Sequence, residues 1–175
     1  DNGGLRGPTN NAPLRSGKGY AYEGGIRVPL LIKWPGVVKP GTTSAEPVTS
    51  VDYFPTIAEV TGLDLPEGRD IDGLSLAKHL SSQGKQKLSR DAIYWHFPHY
   101  RHNPGPYSII REGDWKLIKF YEGPMELFDL NKDIGETKNL AAAMPGKVKE
   151  LESRLLAHLK SVGAKMPKLN PAAKN

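Results

Sequence analysis

Tyr107-Ser108-Ile109-Ile110-Arg111-Glu112-Gly113-Asp114-Trp115-Lys116-Leu117-Ile118-Lys119-Phe120-Tyr121 decides the fold of the C-terminal half. Two β-branched and aromatic runs flank Glu112-Gly113-Asp114, a turn of hairpin length, so the stretch predicts antiparallel strands over 107–111 and 115–121. Asp91 to Phe97 before it and Glu126 to Leu130 after it read as two further strands. Downstream, Val148, Leu151, Leu155, Leu159 and Val162 recur three and four apart and predict a helix from about Gly146 to Val162. A short antiparallel sheet with one amphipathic helix laid on it is a small α+β unit.

Working upstream, Ser82-Gln83-Gly84-Lys85-Gln86-Lys87 is a polar bridge and the expected boundary. Before it, a short helix is predicted around Ser75 to Ser81. Another opens at Asp52-Tyr53-Phe54-Pro55-Thr56, with Asp52 as N-cap, Pro55 in the first turn and Gly62 as C′ residue. Phe54, Ile57, Ala58 and Val60 are its expected buried side. Val28 to Trp34, closed by Pro35-Gly36, predicts a strand. Residues 1 to 27 hold seven glycines and two prolines without periodicity, which predicts an extended loop. The opening Asp1-Asn2-Gly3-Gly4 is turn chemistry with no element before it, and the expectation is a piece of a longer chain.

Composition narrows the function classes. The 175 residues are 25% charged and 38% hydrophobic, with mean hydropathy −0.49, as in a soluble globular chain. No apolar run approaches the roughly 20 residues of a membrane helix. Cysteine is absent, which excludes disulfides, thiolate zinc sites and cysteine nucleophiles within this chain. The net charge of +5 is matched by residues 145–175 alone, where seven Lys/Arg face two Glu. That charge reads as a solvated helix and tail, and no zinc-finger or RNP pattern points to nucleic acid.

Four clusters could carry chemistry. Asp1-Asn2 offers hard oxygen donors suited to Ca²⁺ or Mg²⁺, although Asp-Asn-Gly is also ordinary turn chemistry. Arg15-Ser16-Gly17-Lys18-Gly19, followed by Tyr22-Glu23-Gly24-Gly25, can bring a lysine and backbone N–H groups close to an anion, yet it is not a P-loop. His96, His99 and His102 lie three apart between prolines, and metal binding, substrate contact and a structural role all stay open. Glu126, Asp129, Asp133 and Glu136 read as solvated or capping carboxylates. No nucleophile has a base beside it.

As strings, these segments resemble the later half of the sulfatase family. The resemblance is carried by Asp1-Asn2-Gly3-Gly4, Pro13-Leu14-Arg15-Ser16-Gly17-Lys18-Gly19, Tyr22-Glu23-Gly24-Gly25-Ile26-Arg27-Val28-Pro29 and Trp34-Pro35-Gly36. It continues through Val51-Asp52-Tyr53-Phe54-Pro55-Thr56, Asp72-Gly73-Leu74-Ser75-Leu76, Ile110-Arg111-Glu112-Gly113-Asp114-Trp115-Lys116-Leu117-Ile118 and Glu126-Leu127-Phe128-Asp129-Leu130 to Asn139-Leu140-Ala141, nearly the whole chain in order.

The resemblance implies an α/β fold: residues 1–85 as the end of an alkaline-phosphatase-like α/β domain, and 88–165 as a C-terminal α+β subdomain with a four-stranded antiparallel sheet and a packed helix. Residues 166–175 would be a tail. It implies a sulfuric ester hydrolase in which Asp1 and Asn2 are the later pair of Ca²⁺ ligands and Lys18 binds the sulfate as a catalytic residue. Glu23 and Arg27 would brace the loop, and His96, His99 and His102 would be substrate contacts. The family nucleophile, a formylglycine made within Cys/Ser-x-Pro/Ala-x-Arg, has no such string here. The chain is therefore expected to need a missing N-terminal half and to be inactive alone. A sulfated small molecule or carbohydrate is the implied substrate, and a secreted, periplasmic or lysosomal location the implied setting. A phosphoryl-ester hydrolase of the same superfamily and a non-enzymatic interaction module are the alternatives.

Overall fold

A computed structural model describes residues 2–102 and 104–168. Its elements are α1 (Glu23–Ile26), a 3-10 turn (Ser50–Asp52), α2 (Tyr53–Thr61), α3 (Ala77–Ser81), β1 (Ile93–Phe97), β2 (Tyr107–Glu112), β3 (Trp115–Phe120), β4 (Glu126–Asp129) and α4 (Pro145–Ser161). They fall into two compact units. Residues up to Val28 join those from Asp91 onward in one, and Pro29–Arg90 form the other.

The first unit is built on an antiparallel sheet in the order β1-β2-β3-β4. Glu112 pairs with Trp115, so Gly113-Asp114 is the hairpin loop, and Gly113 takes the positive φ of 57° that such a tight turn requires. Alternate side chains of each strand face opposite sides. Ile110, Leu117 and Leu127 meet Val148, Leu151, Leu155 and Leu159 of α4. On the other face, Ile109, Ile118, Phe120 and Phe128 pack against Ala21 and Tyr22. The central strands are thus covered twice, and for that reason β2 and β3 read as dense apolar runs.

The second unit departs from the sequence reading in two places. Val28–Trp34 forms no strand, and Leu31 is 90% exposed. A strand needs a neighbour for its backbone N–H and C=O groups, and among the described residues none lies alongside. The helix near Tyr53 forms and ends at Gly62 (φ 70°), as its sequence predicts. It buries Pro55 and Ala58, however, while Phe54, Ile57 and Val60 lie in the open. The buried side faces the start of α3, where the Leu76 N–H donates to Thr56 Oγ1 at 2.8 Å.

Asp52 also does something other than cap α2. Its buried carboxylate accepts from the N–H groups of Thr49 (2.8 Å) and Leu74 (2.9 Å) and pairs with both terminal nitrogens of Arg90. Burial alone would push this carboxyl up. The Arg90 guanidinium and the two N–H donors win, holding it below the usual range.

Candidate functional site

The glycine-rich segments of the first 25 residues lie directly against one another. The Lys18 N–H donates to Gly4 O and the Gly3 N–H to Gly25 O, both at 3.0 Å. The Gly24 N–H closes the loop onto Arg15 O at 2.9 Å. The Asn11 amide adds a second donor to Gly4 O (2.9 Å) and donates to Ser16 O (3.0 Å). A Cβ on Gly3 would stand 1.7 Å from Gly24 O, and one on Gly17 would stand 2.4 Å from Gly4 O. Only glycine permits so close a backbone approach.

This seam holds Gly4, two residues after Asn2, against the main chain of Lys18. Asn2 and Lys18 are exposed. Asp1 lies outside the described residues. Among the described residues no group of three or more His, Cys, Asp or Glu could hold a metal ion. The Asn2 amide oxygen is a hard donor suited to a Ca²⁺-type ion, and the pinned Gly3-Gly4 backbone restricts where it can be presented.

The three histidines separate. His96, on β1, has its Nδ1 2.7 Å from Ser108 Oγ and its Nε2 2.9 Å from Lys165 O. A carbonyl oxygen only accepts, so Nε2 carries the proton there and both ring nitrogens are engaged, the Nε2 contact on the exposed side. His99 is exposed, edge-on to Phe97 at 5.3 Å. His102 stacks flat on Tyr20, with centroids 4.3 Å apart and ring planes 2° from parallel. Its ring also stands against Gly19, where an added Cβ would meet Nε2 at 2.7 Å. Of the three, His102 is the one that joins the Gly17-Lys18-Gly19 turn.

Beneath the loop lies a charged cluster. Lys116 on β3 is fully buried, with its Nζ 2.9 Å from Glu23 Oε1 and 2.8 Å from Glu136 Oε1. The Glu23 N–H donates to Glu136 Oε2 at 2.6 Å. Burial pushes the Glu136 carboxyl up, and the Lys116 ammonium opposes that shift. Arg111 and Arg27 each place a guanidinium nitrogen 3.7 Å from Glu23 Oε2, so Glu23 is a brace of the loop, as its place in the string implies. Arg15 donates to Glu136 O at 2.9 Å and lies 3.7 Å over the Tyr22 ring. The Tyr22 hydroxyl donates to Glu126 Oε1 at 3.3 Å, and its phenol is pushed up to about 12, by burial first and the Glu126 charge second.

Sequence reading placed Glu136 among solvated or capping carboxylates. Asp133 does cap, accepting the N–H groups of Thr137 and Lys138 at 2.8 Å each, and these donors hold its carboxyl below the usual range. Glu136 is instead fully buried. One signal was available in the strand alternation, since Lys116 shares a face with Ile118 and Phe120, where a charge demands a partner.

Residues 16–165 match the family model described as N-sulphoglucosamine sulphohydrolase, C-terminal. Over 157 residues the chain is 41% identical to a sulfatase of Formosa agariphila, covering 84% of this chain and 28% of that protein. It is 33% identical to human arylsulfatase A over 160 residues, covering 79% of this chain and 31% of that one. The crystal structure of Ps i-CgsB in complex with k-i-k-neocarrahexaose superposes with a TM-score of 0.77 at 30% identity, over 90% of this chain and 34% of that chain. A protein solved with its substrate D-glucosamine-2-N,6-O-disulfate superposes with a TM-score of 0.70 at 33% identity, over 85% and 31%. The chain spans about a third or less of the length of these relatives.

Proposed function

This chain belongs to the sulfatase family, and we propose that it supplies one wall of a sulfate-ester hydrolase site. The observation that carries this reading is the seam in which the Lys18 N–H meets Gly4 O, because it ties the chain two residues after Asn2 to an exposed lysine between two glycines. Lys18 would bind the sulfate group as an ammonium donor, drawing its negative oxygens into place and stabilising charge as the ester bond breaks. Asp1 and Asn2 would hold a divalent cation of the Ca²⁺ type, whose chemistry when bound is to offset negative charge on the sulfuryl oxygens. His102 would line the approach to Lys18, with His99 farther out on the same loop, while His96 anchors that loop's root at β1.

The substrate class we propose is a sulfated carbohydrate. Its support is the likeness to a protein whose bound substrate is D-glucosamine-2-N,6-O-disulfate. The nucleophile would come from outside these 175 residues, since the formylglycine string Cys/Ser-x-Pro/Ala-x-Arg does not occur within them. The test is sulfate release from glucosamine 6-sulfate and from 4-nitrophenyl sulfate by the complete protein that carries this sequence. Lys18→Ala is expected to lower kcat/KM by about 100-fold or more, the order seen when one charge-stabilising donor is removed. Full activity in Lys18→Ala, or turnover by the isolated 175-residue chain, would overturn the reading.

A further inference from the structure

We propose that Glu136 is a positioning residue for Lys18, gripping both ends of the loop that presents it; the inference rests on the reading of Lys18 as the sulfate-binding group. The loop from Arg15 to Glu23 has Gly17 and Gly19 around Lys18 and no apolar side chain before Tyr20. Such a segment has little to pack, and its conformation has to be imposed from outside.

Glu136 imposes it at two points. At the start of the loop, Arg15 Nη1 donates to the Glu136 carbonyl at 2.9 Å. At its end, the Glu23 N–H donates to Glu136 Oε2 at 2.6 Å. Lys116 then locks the carboxylates of Glu23 and Glu136 together from below, at 2.9 and 2.8 Å. Glu136 holds a left-handed backbone with φ 51°, a conformation that non-glycine residues adopt at a cost and that persists where surroundings dictate it.

Stability alone does not account for the cluster. Apolar residues of similar volume often hold a buried site as well as an ion pair does. What the cluster adds is directional: one hydrogen bond from the Arg15 guanidinium, three residues before Lys18, and one from the main-chain N–H of Glu23, five after. The grip comes from the turn beyond β4, more than 110 residues away in sequence.

The experiment is a double-mutant cycle in the complete protein, with 4-nitrophenyl sulfate as the probe because its good leaving group keeps residual turnover measurable. Glu136→Gln is made alone and together with Lys18→Ala, and kcat/KM and thermal midpoint are recorded for each. Glu136→Gln alone is expected to lower kcat/KM about tenfold or more, as small misplacements of a binding group do. In the Lys18→Ala background it should change kcat/KM by less than about twofold, because groups acting through one another are not additive. An equal loss in both backgrounds, or none in either, overturns the grip while leaving Lys18 in its role. Full activity of Lys18→Ala overturns the sulfate-binding reading and this inference with it. Should Glu136→Gln not fold, Arg15→Gln, which removes the tie at the loop's start together with the Arg15 contacts to Tyr22 and Glu126, carries the same comparison.

Discussion

The Nζ of Lys116 lies 2.8 Å from Oε1 of Glu136 with neither side chain exposed to solvent. A strand lysine and a carboxylate twenty positions later therefore neutralise each other inside the fold, with Glu23 as the third member.

Removing the cation should be costly. Lys116→Ala leaves the buried carboxylates of Glu23 and Glu136 without the cation between them, with only Arg27 and Arg111 near Glu23, and opens a cavity. A loss of about 3–5 kcal/mol is expected, the order found when one partner of a buried pair is deleted. Urea unfolding followed by circular dichroism measures it; a loss under about 1 kcal/mol would show the cluster to be hydrated and relaxed.

Asp52 makes the second unit acid-sensitive. Its folded carboxyl titrates below the unfolded value of about 3.9, so its contribution is complete above that pH and fades as pH falls through the folded pKa. Asp52→Asn should therefore destabilise the chain at pH 7 and show a shallower decline in stability between pH 4 and 2 than the parent. Parallel curves for parent and variant would contradict this.

Tyr22 works at the opposite end of the pH scale. Its folded pKa of about 12 exceeds the unfolded value of about 10, so the stability it confers is present below pH 10 and lost as pH rises toward 12. Absorbance titration near 295 nm should show a late-ionising tyrosine that disappears in Tyr22→Phe. Disappearance of a component titrating near 10 instead would refute the assignment.

The glycine seam predicts a local failure. Gly3→Ala forces a Cβ to within 1.7 Å of Gly24 O, and Gly17→Ala to within 2.4 Å of Gly4 O. Each should cut sulfate-ester turnover by the complete protein at least about tenfold by displacing Lys18 or Asn2. The far-UV spectrum of the strands and α4 should be unchanged, since neither glycine lies in those elements. Retained turnover in both variants would show that the seam does not set the site.

The glycine-rich strings Asp-Asn-Gly-Gly, Gly-Lys-Gly and Glu-Gly-Gly mark backbone that comes close to other atoms. What each approaches was not legible in the sequence. A glycine announces missing volume without naming the atom that fills it, so the meeting of Gly3 with Gly24 and of Gly17 with Gly4 needed coordinates. The histidines illustrate the same limit. Equal spacing made His96, His99 and His102 look alike, and their separation follows from neighbours far along the chain, Lys165 for His96 and Tyr20 for His102.

By itself the sequence determined the elements whose signals are local: the strands β1 to β4, the Gly113 turn, the Gly62 stop of α2 and the 3.6-residue stripe of α4. These depend on side-chain period and on backbone conformations that few residues accept. Tertiary structure alone decided what is non-local. Val28–Trp34 has strand composition but no partner among the described residues, and a ladder cannot form on one side only. Phe54, Ile57 and Val60 have a core-like pattern but face outward, because a pattern names a sticky side without supplying what covers it. Glu136 looks like an ordinary solvated or capping carboxylate in the sequence, and nothing there joins it to Lys116 and Glu23. Only when the sheet places Lys116 on the face that receives the opening loop does burial force the three together, since an unpaired charge there would cost more than the fold can spare.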